Sequence, residues 1–277
     1  MPLRFDGVHC AYGSRRVLSG LSLDLEDTEW LAVIGANGSG RSTLAEVASG
    51  LRRPQKGRVL LDGQDIWRRN GRRLRARLGL VMQRAEDQFL GDTVYDDVAF
   101  GPSQTSRDRN HIDLAVRRAL ELVDFDLGEV AGRSPLEFSG GQRRRIAVAG
   151  LLALNPSILV LDEPFAGLDG QARNDMGALL LRLRRRGMTI LTLTSELELA
   201  SEASRLALLI HGEIGLIGDV RDFVANQRLC REAGIMLPEP IQLALELRDR
   251  GWNVPVFGGE GALELAIARE WRQRERA

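Results

Sequence analysis

The chain has 277 residues, 44% of them hydrophobic and 27% charged, with 38 basic side chains balanced by 38 acidic ones. That length holds one large domain, or a large domain with a small appendage. The neutral balance excludes a global field that would attract nucleic acid or anionic lipid. Lys56 is the only lysine, so nearly all the positive charge is arginine. Cys10 and Cys230 lie far apart and in no metal-binding or redox spacing, so they read as free buried thiols in a reducing compartment. Residues 1–6 carry charge at once, without a signal-peptide core, and no apolar run approaches a membrane span. Action at a membrane would need a partner.

Leu3–Ala11 and Leu18–Leu25 alternate apolar and polar residues as antiparallel strands do. Trp30–Ile34 is a continuous apolar strand ending in a glycine-rich turn, and Ser42–Leu51 reads as a helix closed by Gly50 and Pro54. A strand and turn follow over Arg58–Gly63, then a basic helix start at Gly71 that runs into the strand Leu78–Met82. From Gln83 to about Leu136 polar loops alternate with helical patterns, clearest over Ile112–Val123, which predicts a helical insertion. Strand and helix then alternate strictly: helix Gln142–Leu154, strand Ser157–Leu161, helix Gln171–Arg186, strand Met188–Thr194, helix Glu196–Ser204, strand Leu206–Ile210. That order predicts an α/β fold with a parallel sheet covered on both faces. The tail from about Asp219 reads as helices Asp222–Leu229, Pro240–Arg250 and Ala262–Arg276. Arginine clusters at 72–77, 143–145 and 182–186 fall on helices and read as solvated faces.

Three motifs carry chemistry. Gly35-Ala-Asn37-Gly38-Ser39-Gly40-Arg41-Ser42-Thr43 follows an apolar strand and opens a helix. In that context glycines let backbone N–H groups close around phosphate oxygens, and the helix N-terminus adds its dipole. The hydroxyl of Ser42 is placed to ligate Mg²⁺ and Thr43 to touch the inner phosphate. Arg41 stands where the motif asks for lysine. The strand Ser157–Leu161 ends in Asp162 and Glu163; Asp162 can hold the hydrated Mg²⁺ and Glu163 can polarise an attacking water, although a strand ending in a charged turn is common. Ser139-Gly140-Gly141-Gln142 opens a helix with two glycines, a second anion-binding terminus. One chain cannot fold both termini onto one phosphate by simple topology, which invites a head-to-tail dimer.

The P-loop, Gln83 at a strand end, Phe138–Gln142, the Leu-Asp-Glu-Pro strand and Ala166-Gly-Leu-Asp169 together resemble the ATP-binding cassette (ABC) family, in its usual order. The resemblance implies a P-loop NTPase nucleotide-binding domain with an antiparallel β subdomain, a helical insertion and a small C-terminal helical zone. It implies ATP and Mg²⁺ as ligands, Tyr12 stacking on adenine, Gln83 linking the metal site to a transmembrane partner, and Asp169 in the loop that crosses the dimer interface. Glu86–Leu90, Thr93–Gly101 and the tail Leu237–Gly251 are similar to the ATPases of energy-coupling factor importers, which take up vitamins or nickel and cobalt ions. In that family the segment after the glutamine loop grips a transmembrane coupling protein, a further membrane subunit binds the substrate, and the C-terminal zone holds the ATPase pair together. The implied organisation is an ATP-binding domain over 1–218, with its helical subdomain at about 84–156, and a dimerisation zone over 219–277, peripheral on the cytoplasmic face of the membrane. No nucleic-acid partner is expected.

Two positions depart from an active cassette. A guanidinium is planar and larger than an ammonium, so Arg41 cannot simply occupy the lysine's place. Ser195 stands where the family shows its switch histidine, and serine is too short to reach the γ-phosphate as an imidazole does. The two departures fall in one composite site, whereas Ser139–Gln142, which would serve the partner's site, is intact. The expectation is a degenerate site of its own within a heterodimer with a competent paralogue. The alternatives are a subunit that senses nucleotide without hydrolysing it, favoured by Arg41 and Ser195 and opposed by Glu163, and the ATPase subunit of another ABC transporter class.

Overall fold

The computed structural model describes residues 2–69, 71–200, 202–257 and 259–274. The N-terminal alternation folds as a hairpin of β1 (Leu3–Tyr12) and β2 (Arg15–Leu25). Then β3 (Trp30–Ile34) leads through the glycine-rich turn into α1 (Arg41–Ala48). Next, β4 (Lys56–Leu61) and β5 (Gln64–Asp65) join the hairpin in an antiparallel sheet of order β2-β1-β4-β5. After α2 (Gly71–Arg75) and β6 (Leu78–Val81) come the helices of the insertion: α3 (Val94–Thr105), α4 (Arg109–Leu122) and α5 (Leu127–Val130). The α/β rhythm resumes with α6 (Gly140–Leu152), β7 (Ile158–Asp162), α7 (Gly170–Arg185), β8 (Thr189–Thr194), α8 (Leu197–Ala200), β9 (Arg205–Ile210) and β10 (Glu213–Gly218). The tail forms α9 (Val220–Ala225), α10 (Gln227–Glu232), α11 (Glu239–Asp249) and α12 (Gly259–Arg274).

The second sheet runs β10-β9-β3-β8-β7-β6, parallel except for β10. Its four inner strands and β6 are mostly apolar and buried because both faces are covered, whereas the edge strand β10 alternates exposed and half-buried residues. Leu31, Val33, Ile158, Val160, Leu191 and Leu193 pack with α1 and the antiparallel sheet. On the other face Leu159, Leu161 and Ile190 pack with α6, α7 and the helical insertion. Further along that face Ala32, Ile34, Leu206 and Leu208 pack with Phe223, Cys230 and Ile235 of the tail. The last two helices hold a small cluster of their own around Ala244, Val254 and Leu263. Both cysteines are free and buried, as read from their spacing.

Three differences from the sequence reading have local causes. The strand β10 was not expected; His211 and Gly212 both take left-handed backbone (φ 50° and 80°), the two-residue turn that matches strand twist and returns the chain antiparallel. The helix expected over 196–204 shortens to α8, because the Ser204 N–H already bonds the Trp30 carbonyl at 2.8 Å. The arginine clusters are solvated faces only in part: Arg72, Arg73, Arg185 and Arg186 are exposed, while other members turn inward. Arg75 donates to the Ile66 carbonyl at 2.5 Å, Arg182 to that of Leu122 at 2.9 Å, and Arg144 is buried altogether. Each places a many-donor guanidinium on backbone acceptors that no regular ladder serves. The last expected tail helix reaches Arg274, and residues 275 and 276 lie outside the described residues.

Candidate nucleotide-binding site

The glycine-rich turn is shaped by sterics. A Cβ at Gly35 would lie 2.5 Å from Ser39 Oγ and 2.9 Å from the Leu209 carbonyl, and Gly40 caps α1 at φ 111°. Only glycine meets both conditions, and the resulting loop wraps the N-terminus of an eight-residue helix whose first N–H groups lack intrahelical partners. Above it lies a cavity of about 330 Å³ lined by Tyr12, Asn37, Gly38, Gly40, Arg41, Ser42, Thr43, Gln83 and Glu163, together with Arg15, Val17 and Ala36. Gly35 and Ser39 form the floor: the Gly35 carbonyl accepts from Arg41, and Ser39 Oγ is buried without a partner among the described residues.

Arg41 begins α1, yet its side chain curls back over the loop and is only 8% exposed. Its guanidinium donates to the Gly35 carbonyl, to Asn37 Oδ1 at 3.2 Å and to Glu163 Oε1. The pair Arg41–Glu163 is therefore a buried ion pair inside the cavity wall. Glu163 itself holds left-handed backbone (φ 51°), with its N–H on the Leu193 carbonyl at 2.8 Å.

Asp162 sits beneath Ser42. Burial pushes its carboxyl above the ordinary carboxylate range, against the opposing effect of a hydrogen bond with the Ser42 side chain. One of its oxygens, Oδ1, is buried with no partner among the described residues. An orphaned carboxylate oxygen beside a hydroxyl, with the Gln83 carboxamide on the same cavity, is an all-oxygen donor set that suits a hard cation such as Mg²⁺. Among the described residues no group of three or more His, Cys, Asp or Glu could cage a metal. When bound, Mg²⁺ would neutralise charge on the β- and γ-phosphate oxygens.

Tyr12 stands at the cavity mouth, 46% exposed. Its hydroxyl donates to Glu46 at 3.3 Å and accepts from Thr43 at 3.4 Å, and Arg52 covers one ring face at 4.3 Å. Arg15, paired with Tyr12 in the hairpin register, also lines the cavity. A basic residue three positions after an aromatic across a tight turn was the signal for it.

The remaining expected residues lie away from this cavity. Ser139 caps α6: its Oγ accepts from the Gln142 N–H at 3.3 Å, and the Gln142 side chain accepts from the Ser139 N–H at 3.0 Å. Ser139 and Gly140 are exposed, while Gly141 meets Ala172 so closely that a Cβ would sit 2.6 Å from it. Asp169 caps α7 by accepting from Ala172 N at 2.8 Å. Ser195 follows β8 and lines a separate cleft of about 830 Å³ with Gly234, Leu237, Gln242 and Ile267 of the tail. No local sequence signal marks that cleft, since it forms only where the tail returns to the end of β8.

The ABC transporter family model matches residues 18–166, more than half of the chain. The chain belongs to that family. Among curated relatives, the energy-coupling factor transporter ATP-binding protein EcfA2 of Symbiobacterium thermophilum is 38% identical, covering 92% of this chain and 91% of that one. EcfA1 of the same organism is also 38% identical, covering 90% of each chain. Among solved structures, cbiO1 from Clostridium perfringens, part of the ABC transporter complex cbiONQ, superimposes with a TM-score of 0.74 at 28% identity, covering 83% of this chain and 93% of that one. This cassette is thus an ATP-binding subunit of the energy-coupling factor type, an ATP hydrolase by family. No helix among its described residues is long and apolar enough to cross a membrane.

Proposed function

We propose that the chain is one member of the head-to-tail ATPase pair of an energy-coupling factor importer for a vitamin or metal ion, peripheral on the cytoplasmic face of the membrane. Its own site binds Mg-ATP but turns it over slowly. Its signature loop completes a competent site on a paralogous partner. The observation that carries this reading is the Arg41–Glu163 pair. The group that must meet the γ-phosphate is spent on the carboxylate that must activate water, so each silences the other until nucleotide separates them. Ser195, which lines a different cleft, adds no switch group to that cavity.

In this reading Ser42, Gln83 and Asp162 hold Mg²⁺, Gly35–Thr43 hold the phosphates, and Tyr12 stacks on the base. Ser139–Gln142 and Asp169 face the partner cassette. The membrane coupling protein docks beside α3, where Leu90 and Phe100 are exposed and Leu154 packs against Gly101. The residues after 218 form the dimerisation zone, with Met236 and Trp271 exposed on them.

The test compares two substitutions in the assembled complex, by phosphate release at saturating ATP. Nothing lies within 4 Å of a Cβ at Gly140, so Gly140→Trp leaves this chain's fold intact and blocks only what docks there. Losing signature donors costs about 3–4 kcal/mol of transition-state stabilisation, roughly 10²–10³ in rate. Glu163→Gln should cost far less. Equal losses, or a larger one from Glu163→Gln, would show that this chain's own site is the working one.

A further inference from the structure

Arg144 lies on α6, two residues past the signature glutamine, and is 7% exposed. The helix is flanked by α3, α4, α7 and β6, and its neighbours Ile146, Ala147 and Val148 are all buried. Packing alone would select an apolar side chain at this position, because removing a guanidinium from water is costly. What the guanidinium does there is specific. One nitrogen donates to the Glu163 carbonyl at 2.9 Å and to the Ala166 carbonyl at 3.0 Å; the other donates to the Gln83 carbonyl at 2.7 Å. Three segments remote in sequence, the loop after β6, the turn after β7 and the start of α6, converge on one side chain.

The Glu163 peptide needs such a hold. A non-glycine residue in left-handed backbone persists only where its surroundings over-determine it. The Glu163 carbonyl is bound twice, by Arg144 and by the Ala166 N–H at 3.2 Å. With that carbonyl fixed, the direction in which the Glu163 side chain leaves the turn is fixed as well. The Gln83 carbonyl, held by the same guanidinium, ties the loop that reaches the cavity to the same point.

We propose that Arg144 is a positioning residue that makes the signature helix, the Gln83 loop and the Glu163 turn move as one body. Displacement of the Gln83 loop by a membrane partner is thereby passed to the signature loop that serves the opposite site. The inference rests on the loop roles proposed above. Arg144 does not line the cavity; it acts through the loops it binds.

The test uses Arg144→Lys and Arg144→Gln. A compact ammonium keeps the charge but cannot span three carbonyls as a planar fork does, and the carboxamide has neither the charge nor the reach. In the isolated chain, hydrogen exchange should quicken about fivefold or more at residues 83–88 and 163–168 in both variants. Exchange at 35–43 and in the sheet should stay unchanged. In the assembled complex, kcat for phosphate release should fall about tenfold or more in Arg144→Gln and less in Arg144→Lys, with KM for ATP within about twofold. Uniformly faster exchange across the sheet, KM rising in step with the fall in kcat, or no change in the two loops would each overturn the proposal. If the complex with the unsubstituted chain releases no phosphate, the paired-site reading fails, and the exchange pattern of the isolated chain still decides the role of Arg144.

Discussion

The buried pair between Arg41 and Glu163 makes the strongest energetic prediction. Both side chains are 8% exposed, so the weak value of a surface pair, about 0–1 kcal/mol, does not apply. A hydrogen bond to a buried charged group contributes about 1.5–3 kcal/mol, and removing one partner of a buried pair leaves a bare charge that costs roughly 3–5 kcal/mol. In nucleotide-free protein Arg41→Met should therefore destabilise by about 3–5 kcal/mol. Glu163→Gln should cost about 1.5–3 kcal/mol, since the amide still accepts a hydrogen bond. The double variant, with neither charge buried, should cost less than the sum by about 2 kcal/mol or more.

Urea unfolding of the four chains measures that coupling. Saturating Mg-ATP stabilises every form that binds it by mass action, but the coupling itself should shrink, because the guanidinium leaves Glu163 for the phosphates. Costs that simply add without nucleotide, to within about 0.5 kcal/mol, would refute the coupling of Arg41 with Glu163. A coupling that persists undiminished at saturating Mg-ATP would show that Arg41 never transfers to the phosphates and that nucleotide does not open the pair.

Two further outcomes follow from other parts of the fold. Leu90 and Phe100 are exposed, so Leu90→Glu and Phe100→Glu should change stability by no more than about 0.5 kcal/mol and leave ATP binding intact, yet release the chain from its membrane complex on co-purification. Retention of both variants would place the docking groove elsewhere. On α3, burial raises the Asp97 carboxyl above its ordinary 3.8, although the same oxygen accepts the Leu90 N–H at 2.7 Å and the Gly91 N–H at 3.2 Å. A raised folded pKa favours the protonated form, so its contribution to stability is full below 3.8 and is lost as pH rises through the folded value. Asp97→Asn can keep both bonds to one oxygen, so the wild type should lose stability relative to this variant as pH rises from the ordinary carboxylate range towards neutrality. A parallel pH dependence of the two would remove Asp97 from the account.

How much was legible in the sequence depended on whether a signal was local. Gly35–Thr43 declared itself because glycine placement, the preceding apolar strand and the following helix agree within one short stretch. Ser139–Gln142 did so because two adjacent glycines opening a helix are a local signal. The role of Arg144 was hidden for the opposite reason. Three consecutive arginines point in three directions on a helix, and only the packing of α6 among several neighbours decides which one is buried. The surroundings of Ser195 were hidden too. They depend on the left-handed turn at Gly234 (φ 72°), where a Cβ would sit 3.1 Å from Ala36 Cβ, bringing the tail against the phosphate loop. Such a contact spans almost two hundred residues and leaves no periodicity to read.

The arginine at position 41 can be explained at two levels, and they lead to different expectations. A chain whose only lysine is Lys56 has arginine at nearly every basic position, so composition alone accounts for its presence. If that were the whole account, the substitution should be as mild as others on the surface. The fold argues otherwise, because a guanidinium has more donors than one phosphate contact needs. From the first position of α1 it reaches the Gly35 carbonyl, Asn37 and Glu163 together. An ammonium is a compact point charge with three donors and no planar fork, and it would leave part of that set unmet. The composition can therefore have supplied the arginine, but it is the reach of its fork, set against a left-handed glutamate in the same wall, that turns a conservative exchange of charge into a closed ground state.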